Sequence, residues 1–137
     1  MAIARTPLAV AAAAAAVVVA GLTGCGMMNG FVENEKERSF STWERAAEDG
    51  DHDFAPPEFV PEDATDIRMR MVTGGDGGLL RYSSATGPTD DECVEGSLSG
   101  EPVIDSSWWP QTLPDEGVIC GTWRVFEADG TTYAFTG

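Results

Sequence analysis

At 137 residues, with 23 acidic side chains against 8 basic ones and a formal charge of −15, the chain is the size of one domain. Such a balance disfavours nucleic acid and anionic headgroups as partners, because both are polyanions and repulsion opposes encounter. Its plainest use is an acidic coat that keeps a protein dispersed in water.

The chain opens with a single positive charge at Arg5, followed by an alanine- and valine-rich run from Leu8 to Ala20 and then by small residues before Cys25. This order reads as a cleavable export signal. From Leu8 to Leu22 there are fifteen residues, whereas a membrane helix needs about 20 to cross the hydrocarbon. The stretch Leu22-Thr23-Gly24-Cys25 resembles the lipobox of bacterial lipoprotein precursors. That resemblance covers only the first 25 residues. It implies that Cys25 receives a diacylglyceryl thioether and that a dedicated signal peptidase cuts between Gly24 and Cys25. The mature chain would then start at Cys25, with its amine open to acylation by a fatty acid such as palmitate. An ordinary thiol in a signal peptide cut elsewhere is the alternative, and no conventional small-x-small site follows to favour it. Two or three acyl chains, at about 0.8 kcal/mol per buried methylene, would hold the protein firmly on the extracytoplasmic face of the cell membrane.

Residues 25–57 are acidic and polar with few clustered apolar residues, and they read as a tether between lipid and domain. Within it, Ser41-Thr42-Trp43-Glu44 has the form of a capping box, and Gly50 is placed to stop a two-turn helix. A helix so short persists only if Trp43 docks on something. The run Asp49-Gly50-Asp51-His52-Asp53 invites a calcium reading, but an EF-hand loop needs Gly at its sixth position and an acid at its twelfth, where Phe54 and Val60 stand. A solvated acidic linker is the simpler reading.

The folded domain is placed at residues 58–137. Pro56, Pro57 and Pro61 exclude helix and sheet interior, while Phe54, Phe59 and Val60 offer something to pack, which predicts an extended lead-in lying on the core. Thr65 to Thr73 alternates, with Ile67, Met69 and Met71 on one side and Asp66, Arg68 and Arg70 on the other. After the glycine-rich turn at Gly74 to Gly78, Leu79 to Ser84 makes a returning strand. Pairing Met71 with Leu80 would put Arg70 opposite Arg81, a repulsion that calls for an acidic neighbour or another register.

Thr89-Asp90-Asp91-Glu92 predicts the start of a short helix carrying Cys93 and Val94. Ser97 to Glu116, rich in Ser, Pro and Gly around Trp108-Trp109-Pro110, predicts a long ordered loop, with Val103 and Ile104 able to form a short strand. Val118 to Glu127 is read as the strongest strand, and Ala128-Asp129-Gly130-Thr131 as a hairpin turn into Thr132 to Thr136. Apolar residues then fall on both faces of this hairpin, so it should be covered on both sides. The chain ends just past this last strand, so nothing functional is expected to trail behind it.

Cys93 and Cys120 belong to a chain addressed outside the reducing cytosol, where thiols that can meet tend to pair. A disulfide is expected, closing a loop of 26 residues. In the chain-entropy model that is roughly 3 to 3.5 kcal/mol, a sizeable share of a small domain's net stability. The expected fold is α+β: a mainly antiparallel four-stranded sheet, one short helix and the disulfide clipping helix to sheet.

No constellation specifies a reaction. Gly96-Ser97-Leu98-Ser99-Gly100 puts Leu98 where a serine nucleophile would sit, and His52 is the single histidine. No metal-ligand spacing, phosphate loop or dinucleotide fingerprint occurs, and no cofactor is expected. Two features offer a binding surface. Trp108 and Trp109 would bind a sugar ring, a proline-rich peptide or a partner's pocket if exposed, and would cap the sheet if buried. Arg68, Arg70 and Arg81, with Arg124, would form a cationic patch able to hold carboxylate or phosphate, or would pair with surface acids. The functional expectation is a membrane-anchored, non-catalytic module for an envelope protein or glycan. A structural or accessory subunit of an envelope complex is the alternative, and a small hydrolase is the reading from another class.

Overall fold

The computed structural model describes residues 34–137. The export signal, Cys25 and the first part of the expected tether lie outside the described residues. Strands β1 (Glu35–Thr42), β2 (Thr65–Val72), β3 (Gly78–Ser83), β4 (Cys93–Ser97), β5 (Glu116–Cys120), β6 (Trp123–Ala128) and β7 (Thr131–Thr136) are joined by one helix, α1 (Trp43–Asp49). They form one sheet in the order β1-β2-β3-β7-β6-β5-β4, antiparallel throughout. The expected four-stranded sheet is therefore corrected to seven strands. Among the described residues, no helix is long and apolar enough to cross a membrane.

Three departures from the sequence reading produce the extra strands. From Glu35 onward, the segment read as tether is β1 and α1, with β1 pairing to β2 from Glu35↔Val72 to Thr42↔Thr65. Its charges alternate with period two, Glu35 and Glu37 on one side and Lys36 and Arg38 on the other, so it suits a strand although it is poor in apolar residues. Next, the acids at Asp90 to Glu92 start a turn and not a helix. The Asp90 carboxylate accepts from the Glu92 N–H at 3.0 Å, and the Asp90 carbonyl accepts from the Cys93 N–H at 3.1 Å. Cys93 thus begins β4 in register with Cys120, and the disulfide joins two adjacent strands instead of helix and sheet. Finally, the run read as one strand from Val118 to Glu127 is a tight hairpin. Cys120 pairs with Trp123 across Gly121-Thr122, where Gly121 takes φ +62°, a conformation that costs glycine nothing. This turn puts Val118 and Cys120 on the face of Trp123 and Val125, opposite to a continuous strand's alternation. No strand forms at Val103-Ile104, which remain in the loop.

The turn after Ala128 is as expected, with Asp129 and Gly130 both at positive φ and Ala128 paired to Thr131. The β2–β3 register differs by two residues: the Val72 N–H donates to the Gly77 carbonyl at 3.0 Å, so β3 starts at Gly78 opposite Met71 and Met69 meets Leu80.

The sheet has two covered faces. On one, Phe40, Ile67, Met69, Leu80, Tyr82, Val125 and Ala134 pack under α1 and the proline lead-in, whose Phe54, Phe59 and Val60 are buried. The helix is short but anchored. Thr42 caps it by accepting from the Arg45 N–H at 3.3 Å, one residue later than the expected box, and Ala46 is fully buried. The Trp43 N–H donates to the Ala64 carbonyl at 3.0 Å, and Gly50 ends the helix where a Cβ would overlap the carbonyl oxygens of Ala46 and Phe54. On the other face, Leu79, Phe126 and Phe135 are buried beneath Leu98, Ile104, Trp109 and Leu113 of the long loop.

Candidate binding face

The loop covers only part of its face. Over β1, β2 and β3 the same side of the sheet carries Glu35, Glu37, Ser39, Arg68, Arg70 and Arg81, which alternation places beside the buried Leu79 and Phe135. There the sequence-predicted arginines and one of the two tryptophans come together. Arg70 donates from Nε and Nη2 to one carboxylate oxygen of Glu35, at 2.9 and 2.7 Å, and its Nη1 lies 3.7 Å from Glu37. Arg68 Nε stands 3.7 Å from Glu37 Oε1. That same oxygen accepts a 3.0 Å hydrogen bond from the indole N–H of Trp108, and the Trp108 ring carries the Arg81 guanidinium 5.7 Å from its centroid. Glu37 is therefore the hub of a network joining three strands to the loop.

Trp109 has a different role. Its ring meets Phe126, Tyr133 and Phe135 edge-on at 5.6, 5.6 and 5.9 Å, an arrangement favoured by the ring quadrupoles. Trp109 thus takes the core-capping role, while Trp108, 6.2 Å away, bridges core and charged face. The two do not make one open aromatic platform. Arg124, over the Phe135 ring at 5.3 Å, stands apart from the other three arginines.

Beside the network lies an open cleft of about 440 Å³, walled by Arg68, Arg81 and Asp66 and by the hydroxyls of Ser39, Ser41, Ser83 and Thr131. Asp66 sits where the β2–β3 register shifts, at φ +50°, a left-handed conformation that Asp tolerates better than most residues.

Among the described residues, two groups titrate away from their ordinary values, and both lie outside this face. Burial pushes the Tyr82 phenol well up, with the Thr132 hydroxyl opposing and the Asp63 charge reinforcing the shift. Asp63, which accepts from Ser84 Oγ at 2.5 Å and Thr86 Oγ1 at 2.7 Å, has its carboxyl held below the usual range by those two bonds. His52 is fully exposed, 3.6 Å from Asp53. Among the described residues, no three His, Cys, Asp or Glu side chains group as metal ligands.

Sequence reasoning missed Glu35 and Glu37, the acids that organise the arginines. The available signal was their period-two spacing, which matches that of Arg68 and Arg70. No family model, no curated protein and no solved structure matches this chain.

Proposed function

We propose that the chain is a lipid-anchored, extracytoplasmic binding module that carries no catalysis of its own, and that it engages an envelope protein or glycan through the face built from β1, β2, β3 and Trp108. The anchor rests on the lipobox resemblance at Leu22 to Cys25. The observation that carries the binding reading is the convergence of Arg68, Arg70, Arg81 and Trp108 on the part of the sheet that the loop leaves uncovered. Part-exposed arginine beside tryptophan, held by ion pairs, is the composition of a recognition surface rather than of a core.

The test is crosslinking of the membrane-anchored full chain followed by identification of what is captured, for the native sequence and for Trp108→Ala. Loss of one or more specific partners in the variant supports the reading. Identical partner lists remove it. Trp109→Ala is unsuitable for this purpose, because that part-buried ring packs on the aromatic core and its loss would disturb the fold.

A further inference from the structure

We infer that the cleft at Arg81 binds a small hydroxylated acid, a sugar-like molecule whose carboxylate or phosphate is taken by the Arg81 guanidinium and whose hydroxyls are taken by Asp66 and the serine side chains. The inference deepens the binding-module reading above and rests on it for its biological setting.

The starting point is an imbalance of partners. Among the described residues, Arg38, Arg45, Arg68 and Arg70 each have a carboxylate within 4 Å. Arg81 has none among these residues, a lack it shares with Lys36 and Arg124, and of the three it is Arg81 that walls the cleft. Of the arginines that wall the cleft, Arg68 is already engaged by Glu37, so Arg81 supplies the open fork. A planar guanidinium presents paired donors that match an oxyanion, and a half-buried one that lacks such a partner is the natural place for a ligand's. Stacking on Trp108 restricts the motion of that fork, so less freedom is lost on binding.

The rest of the wall argues against a bare anion. Asp66 lines the same cleft and forms no ion pair among the described residues, so it would repel an ion that filled the whole space. A carboxylate there is instead an acceptor for hydroxyl groups. Ser39, Ser41, Ser83 and Thr131 add four hydroxyls able to donate or accept. One free cation, one free carboxylate and a ring of hydroxyls match a molecule that carries one acidic group and several alcohols. At about 440 Å³ the cleft accommodates a molecule of monosaccharide size.

The test titrates the full chain, in detergent, with glucuronate, glucose 6-phosphate and glucose, following heat and tryptophan fluorescence. Trp108, one of four tryptophans, lies against Arg81, so the part of the fluorescence change that Trp108→Phe removes is the local report. Saturable binding of one or both acids by about 10 mM, with glucose much weaker, is expected. The stronger acid tells whether carboxylate or phosphate is the natural group. Arg81→Gln should weaken binding by about tenfold or more, Arg81→Lys by less, and Arg124→Gln should leave it unchanged. Lys at position 81 keeps charge and stem, so it separates loss of the fork from misfolding. Binding of neither acid, equal binding of glucose, or equal weakening by Arg124→Gln overturns the assignment. Partner capture lost in Trp108→Ala, with no acid bound, removes the cleft assignment and leaves the module reading in place. Acid binding with unchanged partner lists does the reverse.

Discussion

Arg68 and Arg81 face each other directly across β2 and β3, and the sheet accommodates the two like charges by sending them to different partners. Arg68 is balanced by Glu37 of the neighbouring strand, whereas Arg81 lies over the face of the Trp108 ring, which attracts the cation without supplying a countercharge. Glu37 also accepts from the Trp108 indole, so one carboxylate steadies both arrangements. Glu37→Gln keeps an acceptor for the indole and removes only the charge. We expect it to lower stability by about 0.5 to 1 kcal/mol, since the pair is partly solvated. Glu37→Ala, which also leaves the exposed indole N–H to water, should cost about 0.5 kcal/mol more. Urea unfolding midpoints at constant slope measure both, and equal costs would show that the indole bond contributes nothing.

The two tryptophans should separate under the same measurement. Trp109→Ala removes a part-buried ring that covers Phe126, Tyr133 and Phe135 and opens that cluster to water, for a loss of about 2 to 4 kcal/mol. Trp108→Ala removes one hydrogen bond and one cation-π contact at the edge of that core, and about 1 to 2 kcal/mol is expected. A larger loss for Trp108 would mean that the loop is held from its outer ring.

The disulfide secures an edge. β4 pairs with β5 alone, its Val94 is exposed, and Cys93 faces Cys120 with Cα atoms 4.1 Å apart. Replacing both cysteines by serine should cost roughly 3 kcal/mol. Amide exchange should show where: protection lost first at residues 93–97 and retained at β2, β3 and β7, which hold the interior of the sheet. Uniform loss over all strands would contradict a local role.

How much of this was legible in the sequence depended on whether local pattern and tertiary pairing agreed. At β2, Ile67, Met69 and Met71 alternate with charges, and pattern alone fixed the strand and its inner face. The turn at Asp129-Gly130 carried its own chemistry in two residues. β1 was hidden because its stabilising partners are arginines thirty or more residues away, and five of its first six residues are polar. The Gly121-Thr122 turn was hidden because apolar residues flank it on both sides, so the run reads as one strand until Cys120 is seen opposite Trp123. At the binding face the arginines and tryptophans could be named from the sequence, but not their grouping. That grouping depends on Glu37, which composition alone places in a tether.

The anchor yields its own outcome. Mass spectrometry of membrane-extracted material should show an N-terminal peptide beginning at Cys25 with fatty-acyl mass added, and Cys25→Ser should abolish both the added mass and membrane retention. Full-length chain without added mass in the membrane fraction would count against the lipobox reading.

Acid should loosen the segment that carries Asp63. Its carboxyl accepts from Ser84 and Thr86 and tethers the stretch after β3 to the end of the proline lead-in. Those bonds hold the folded-state carboxyl below the usual range, so between the two values the folded protein binds fewer protons than the unfolded chain. The contribution is therefore complete above the ordinary carboxylate value of about 4, shrinks as pH falls below it, and is gone below the folded-state value. Asp63→Asn should leave stability independent of this group, so that its unfolding midpoint falls less steeply with acid than the native protein's over that window. The two curves should converge at the acid end, because the native protein has by then lost the charge that the variant never had. A variant curve running parallel to the native one throughout would show that Asp63 titrates alike in folded and unfolded chains.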